Sequence, residues 1–211
     1  MIIPDHEIKR LIKNKELIIN PYFNDFQGPN CYYCHLGTKF MIPKKDELMI
    51  IDPLKIKDSN KYFDLIESTE KIKINPGEFL LAETFESFGV SQNYGLRLLN
   101  SSSLARWGIA HAATGMVNPG CGIEKPVKIT LELFNNFPKP ILLTPTIMDT
   151  KGDITFGTEV MKIIVEKLIS PPEKPYNTWK NAAYGEDYNV QSSKMSNRFR
   201  QVINIKEKLN Q

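Results

Sequence analysis

Cysteine, histidine and long apolar runs are scarce in this chain, and each scarcity excludes something. Three cysteines in 211 residues do not make a disulfide framework, which fits a reducing, intracellular setting, and a cytoplasmic location is expected. No run approaches the roughly 18 apolar residues of a spanning helix. The opening MIIPDHEIKRLIKNKEL is charged within five residues and lacks the apolar centre of a secretory signal. Membrane association is therefore not expected. Lysine and arginine exceed aspartate and glutamate by only 27 to 24, with no block of one sign, so no nucleic-acid-binding arm is present. A scattered positive charge of this size still suits a small polyanion.

The cysteines raise one metal question. Cys31 and Cys34 form a C-x-x-C beside His35, and zinc-dependent nucleobase deaminases combine P-C-x-x-C with H-x-E. Here Asn30 separates Pro29 from Cys31, and none of His6, His35 and His111 begins an H-x-E. Even with Cys121, a tetrahedral four-ligand site is not assembled by this pattern. Free cysteines buried or half-buried in a strand are the expected reading, and no zinc is expected.

What is present is a succession of short strands. Residues 4–17 read as an amphipathic helix with Asp5 as cap and Ile8, Leu11 and Ile12 on one face. After it, ELIINPYF, KFMIPKK, ELMIIDP, KIKINPGEFLLAETFESF, YGLRLLN, VKITLELFNNF and VMKIIVEKLI alternate with Pro, Gly, Asn and Asp turns. That pattern predicts a mainly β fold, a sandwich or barrel. From about Tyr176 the chain turns polar, so a β domain over 1–175 with a tail over 176–211 is expected.

Three stretches carry candidate chemistry. In KITLELFNNF, alternation puts Ile129, Leu131 and Leu133 on one face and Thr130, Glu132 and Phe134 on the other. Glu132 is then either a solvated surface glutamate or a carboxylate in a partly desolvated cleft, where its pKa rises and suits proton transfer. HAATGMVNPG (111–120) is either a plain loop or a small-residue backbone able to approach a flat ligand. NSSSLARWG (100–108) gathers three hydroxyls and Arg106, donors fit for an anion.

In order along the chain, PDHEIKRLI, ELIINPY, INPGEFLLAETFESF, SSSLARWGI, HAATGMVNPG, ITLELFN and LISPPEKPY resemble the dCTP deaminases of the trimeric dUTPase-like superfamily. The resemblance implies a distorted β-barrel or jelly roll with an N-terminal helix. It also implies a homotrimer with sites at subunit interfaces and a C-terminal tail closing over the nucleotide. The implied reaction is hydrolysis of dCTP to dUTP and ammonia without zinc, magnesium entering bound to the phosphates. It assigns Glu132 as general acid/base, Arg106 as the cation orienting it and Ser102 as a hydrogen-bonding group near the reacting water. Ser103, Tyr176 and Gln191 would contact phosphates, and the backbone at Ala112 to Thr114 would read the base edge.

Departures accompany the match. Ser101 stands where the family has an arginine, Asn118 replaces the aspartate of I-D-P-G, Tyr33 replaces another aspartate, and Asp187 and Ser193 replace a lysine and a glycine in the tail. Ser101 and Asn118 remain candidate substrate contacts. CGIEKPV and TIMDTKGDITFGTEV look inserted. Two other functions stay open: a dUTPase-type hydrolase, which the missing aspartate disfavours, and a non-catalytic nucleotide-binding relative with a degenerate phosphate site. The intact Ser102, Arg106 and Glu132 favour the deaminase.

Overall fold

Antiparallel strands dominate the computed structural model, which describes residues 1–45, 50–113, 115–184 and 189–196. Helix α1 spans Asp5–Lys13 and α2 Ser102–Ala105. The first strands are β1 (Leu17–Asn20), β2 (Tyr32–Pro43), β3 (Phe63–Glu67), β4 (Ile72–Ile74), β5 (Phe79–Val90) and β6 (Tyr94–Asn100). They are followed by β7 (Ile109–His111), β8 (Met116–Val117), β9 (Val127–Asn135), β10 (Ile141–Leu143), β11 (Ile147–Met148), β12 (Ile154–Thr155) and β13 (Glu159–Lys167). One sheet runs β7-β9-β5-β2-β13-β6-β8, with β1 joined to β5 and β3 to β2. It curls into a half-barrel, the mainly β architecture that the alternating segments predict.

The helix is shorter than the sequence suggests. Pro4, in extended conformation, holds the N-cap position without a side-chain bond, and Asp5 is the first helical residue rather than the cap. Asp5 and Glu7 at the start and Arg10 and Lys13 at the end complement the helix dipole. Lys15 adopts φ 58°, its amide bonds to Ile12 O, and the Glu16 amide bonds to Leu11 O. These paired bonds end the helix and release Leu17 into β1. Ile8 and Leu11 are buried, and Ile12 packs beside them.

Strand β9 places the site. Val127, Ile129, Leu131, Leu133 and Asn135 face inward while Lys128, Thr130, Glu132 and Phe134 are half-buried on the other side. Asn135 closes the end of the strand: its side-chain amide donates to Ile74 O at 2.8 Å and Lys139 O at 3.0 Å, and its Oδ1 accepts the Phe137 amide at 2.8 Å. Between β5 and β9 the ladder shifts register between Glu83 and Ser87. Thr84 bridges the gap, accepting the Ile129 amide at 3.0 Å. Gly89 lies so close to the backbone of Gly122 that a Cβ would overlap it, which is how the CGIEKPV segment docks on the sheet.

Two segments depart from expectation. Ile50 to Asp52 form no strand, and both isoleucines are exposed; 46–49 of the same ELMIIDP run lie outside the described residues. The long TIMDTKGDITFGTEV segment folds as the β11–β12 hairpin, its turn held by Asp149 Oδ1 accepting the amides of Lys151 and Asp153. Phe156 after it packs on Phe23, Phe26 and His35. Beneath these rings His35 meets buried Glu86 twice, through its backbone amide (2.9 Å) and its Nδ1 (2.8 Å). Cys31, Cys34 and Cys121 are free and buried, and burial pushes the Cys34 thiol well up and Cys121 to about 11. Among the described residues no helix is long and apolar enough to cross a membrane.

Candidate functional site

The outward side chains of β9 form one wall of a cavity of about 1230 Å³. That volume exceeds the roughly 300–1,000 Å³ of typical small-molecule sites, so a whole nucleotide has room. Glu132 and Thr130 stand on this wall, with Phe79 and Leu81 from β5 beside them. Asn118 enters from the loop after β8, and Tyr176, Tyr184 and Gln191 enter from the C-terminal segment. A smaller cavity of about 140 Å³ adjoins it and shares Glu132, Thr130, Ala113 and Met116.

Glu132 sits between Leu131 and Leu133 in sequence and opposite Leu81 across the sheet. Loss of water around it raises its pKa above 4.5, and a bond from its own backbone amide offsets part of that rise. Glu132 is half-buried and lines the cavity. Nearby, His111 bonds Val160 O through Nε2 at 3.0 Å, and burial lowers its pKa. Its ring is thereby kept neutral and its tautomer fixed as an Nε2–H donor.

Among the described residues, Lys44, Lys61 and Lys128 line the cavity with one carboxylate, Glu132. Lys44 and Lys61 come from the segment before β3, and Lys128 pairs with Glu83 at 2.6 Å. Nothing in the sequence pattern marked these lysines. Their signal was positional only, since Lys128 is two residues short of Thr130 on the same strand face.

The expected site residues divide into two groups. Glu132, Asn118, Tyr176 and Gln191 come together around the cavity. Tyr176 is buried, donates its amide to Pro119 O at 2.8 Å, and its hydroxyl accepts the Tyr184 amide at 2.9 Å. Ala112 is exposed and donates its amide to Glu132 O at 2.7 Å. Thr114 and Asp187 lie outside the described residues.

The serine stretch goes elsewhere. It forms α2 after β6, and Ser102, Ser103 and Arg106 are exposed there without lining the cavity. Ser101 is buried instead of facing a ligand, because its hydroxyl donates to Glu159 Oε1 of β13 at 2.8 Å. Trp107, which follows Arg106, is 61% exposed and leans edge-on against Phe137. Among the described residues, no three His, Cys, Asp or Glu side chains gather where they would hold a metal ion.

Comparison with known proteins identifies the family. Residues 2–147 match the family model described as dCTP deaminase-like. A "dCTP deaminase, dUMP-forming" from Nanoarchaeum equitans is 34% identical over 160 residues, 69% of this chain and 79% of that protein. A protein of the same name from Dictyoglomus thermophilum is 34% identical over 206 residues, 94% of each chain. The crystal structure of 2'-deoxycytidine 5'-triphosphate deaminase from Agrobacterium tumefaciens matches with a TM-score of 0.54 at 16% identity. That match covers 79% of this chain and 48% of the other, so this chain spans about half of that protein, and the likeness is one of fold.

Proposed function

The chain belongs to the dCTP deaminase-like family, and from that premise we propose that it hydrolyses the 4-amino group of dCTP to give dUTP and ammonia. The observation that carries this reading is the half-buried Glu132 on the wall of a nucleotide-sized, positively lined cavity, with its pKa raised by desolvation. A base for water attack at neutral pH works best when its pKa is drawn toward that pH.

In this reading ionised Glu132 takes one proton from a water molecule while the oxygen bonds to C4 of cytosine. That proton passes to N3. The second water proton then moves from the new hydroxyl through Glu132 to the amine, the C4–N4 bond breaks, and ammonia leaves. Ser102 and Arg106, exposed on α2, would complete the site of a neighbouring copy in a homotrimer, the arginine beside the developing charge and the serine beside the water. Ser103 would face phosphates there. Ala112 and Thr114 would read the base edge, and Tyr176 and Gln191 would meet the phosphates, which carry magnesium with them. Lys44 and Lys61, on the cavity wall, would stand in for the family cations that Ser101 and Asp187 replace. The reaction is proposed without zinc.

The similar proteins are named dUMP-forming, which favours a second reading in which dUTP is hydrolysed further. Asn118 opposes it: the cavity presents an amide where the family's aspartate is expected, and an amide does not accept a proton from water. Chromatography of products from dCTP and dUTP, each with magnesium, decides. dUTP and ammonia from dCTP, abolished by Glu132→Gln with nucleotide binding retained, support the proposal. Accumulating dUMP replaces it with the second reading, and no turnover of either nucleotide leaves a binding protein.

A further inference from the structure

Glu83 is a fully buried carboxylate in β5, directly after Leu80, Leu81 and Ala82. Burying a carboxylate is costly unless it is paired and hydrogen-bonded, so its partners say what it holds. Its Oε1 meets Lys128 Nζ at 2.6 Å, and its Oε2 accepts the backbone amide of Val190 at 3.1 Å. Lys128 belongs to the adjacent strand, whereas Val190 lies 107 residues further along the chain. Gly37 makes the space, since a Cβ there would stand 3.0 Å from Glu83 Cγ.

The next amide is caught in the same way. Gln191 donates its backbone N–H to Thr130 Oγ1 at 3.1 Å, and Thr130 is the register partner of Glu83 across β5 and β9. One cross-strand pair therefore offers two side-chain acceptors to two successive amides. Around this pair the Val190 side chain is buried against Met41 and Leu81. Ser192 Oγ lies 2.7 Å from Ser59 Oγ and donates to Asn60 Oδ1 at 2.6 Å, and Lys39 Nζ reaches Asn189 Oδ1 at 2.7 Å. Gln191 stands between these anchors, on the cavity wall.

We propose that Glu83 is a positioning residue of the nucleotide site: it docks residues 189–192 across β5 and β9 so that Gln191 faces the cavity, with Lys128 as its counter-ion. Glu83 acts through Gln191. The consequence for turnover rests on the nucleotide reading above, but the docking does not.

Three variants test it: Glu83→Ala, Glu83→Gln and Val190→Pro. The last removes the donated N–H from the segment and leaves the sheet untouched. Hydrogen exchange at the Gln191 amide, measured without nucleotide, reads the docking. Steady-state kinetics with dCTP reads its consequence.

Glu83→Ala and Val190→Pro should each speed exchange at Gln191 by about tenfold or more, the equivalent of about 1.4 kcal/mol. Both should raise KM more than they lower kcat, and Glu83→Gln, which keeps an acceptor for Val190, should restore most of the loss. Exchange at Gln191 equal to wild type in Glu83→Ala and Val190→Pro overturns the proposal, as does a lowered Tm with KM unchanged. Should Glu83→Ala not fold, Val190→Pro decides alone. If the wild type turns over no dCTP, the proposed reaction fails while the exchange rates still decide the docking.

Discussion

Ala112 donates its backbone amide to the carbonyl of Glu132 at 2.7 Å. The bond fastens the small-residue loop after β7 to the backbone of Glu132 on β9. It also leaves the Glu132 side chain free to face the cavity, because only the backbone is engaged.

That side chain sets the pH dependence of turnover. Glu132 must be ionised to accept a proton from water, and burial raises its pKa above 4.5. The kcat/KM for dCTP should fall as pH drops through an apparent pKa above 4.5. A pH–rate profile checks this, and full activity maintained down to pH 4.5 would remove Glu132 from the role.

The same burial predicts a stability difference of opposite use. With its folded pKa raised, the Glu132 carboxyl contributes stability below its unfolded pKa, and that contribution is lost as pH rises through the folded value. Glu132→Gln does not titrate. The variant should melt above the wild type at pH 8, with the gap closing as pH approaches 4. Thermal melts across that range measure it, and a gap independent of pH would contradict it.

On the proposed reading, Asn118 is what stops the reaction at dUTP. Asn118→Asp restores a carboxylate to a position that already lines the cavity. The variant should release pyrophosphate from dUTP at a rate at least about tenfold above wild type, a change worth about 1.4 kcal/mol of barrier. A coupled pyrophosphate assay reads this, and equal rates would show that the amide is not what stops the reaction at dUTP.

Asn135 predicts the cost of opening the end of β9. Asn135→Ala removes three hydrogen bonds and leaves the buried carbonyl of Ile74 and the part-buried carbonyl of Lys139 without this donor. Equilibrium urea unfolding should show a loss of roughly 2–3 kcal/mol. A loss under about 0.5 kcal/mol, the range of ordinary surface substitutions, would mean that water replaces the amide at no cost.

The long strands were legible in the sequence because each buries one face against a sheet, and a period of two is the direct imprint of that. The inward residues of β9 are those the alternation names. ELMIIDP misled for the same reason: apolar residues suggested a strand, but Ile50 to Asp52 form none, and Ile51 lines the cavity from a loop. The helix ended early because Lys15 takes a left-handed conformation that propensity does not foresee. Within the site, Glu132, Asn118, Tyr176 and Gln191 were legible through motif order. Glu83 was not, although two glutamates in so apolar a run as LLAETFESF were a signal that something distant must pair with them. That Ser102 and Arg106 stand on α2 without lining the cavity was also beyond sequence, since nothing in their spacing says which way the element turns.

The alternation of β9 makes catalysis a reporter of correct assembly. Sliding this strand by one position against β5 would turn Leu131 or Leu133 toward the cavity and drive Glu132 into the apolar interior. A protein with that error would lose its acid/base group and its core packing in the same event. On the proposed mechanism, misregistered molecules would therefore be silent rather than poorly selective.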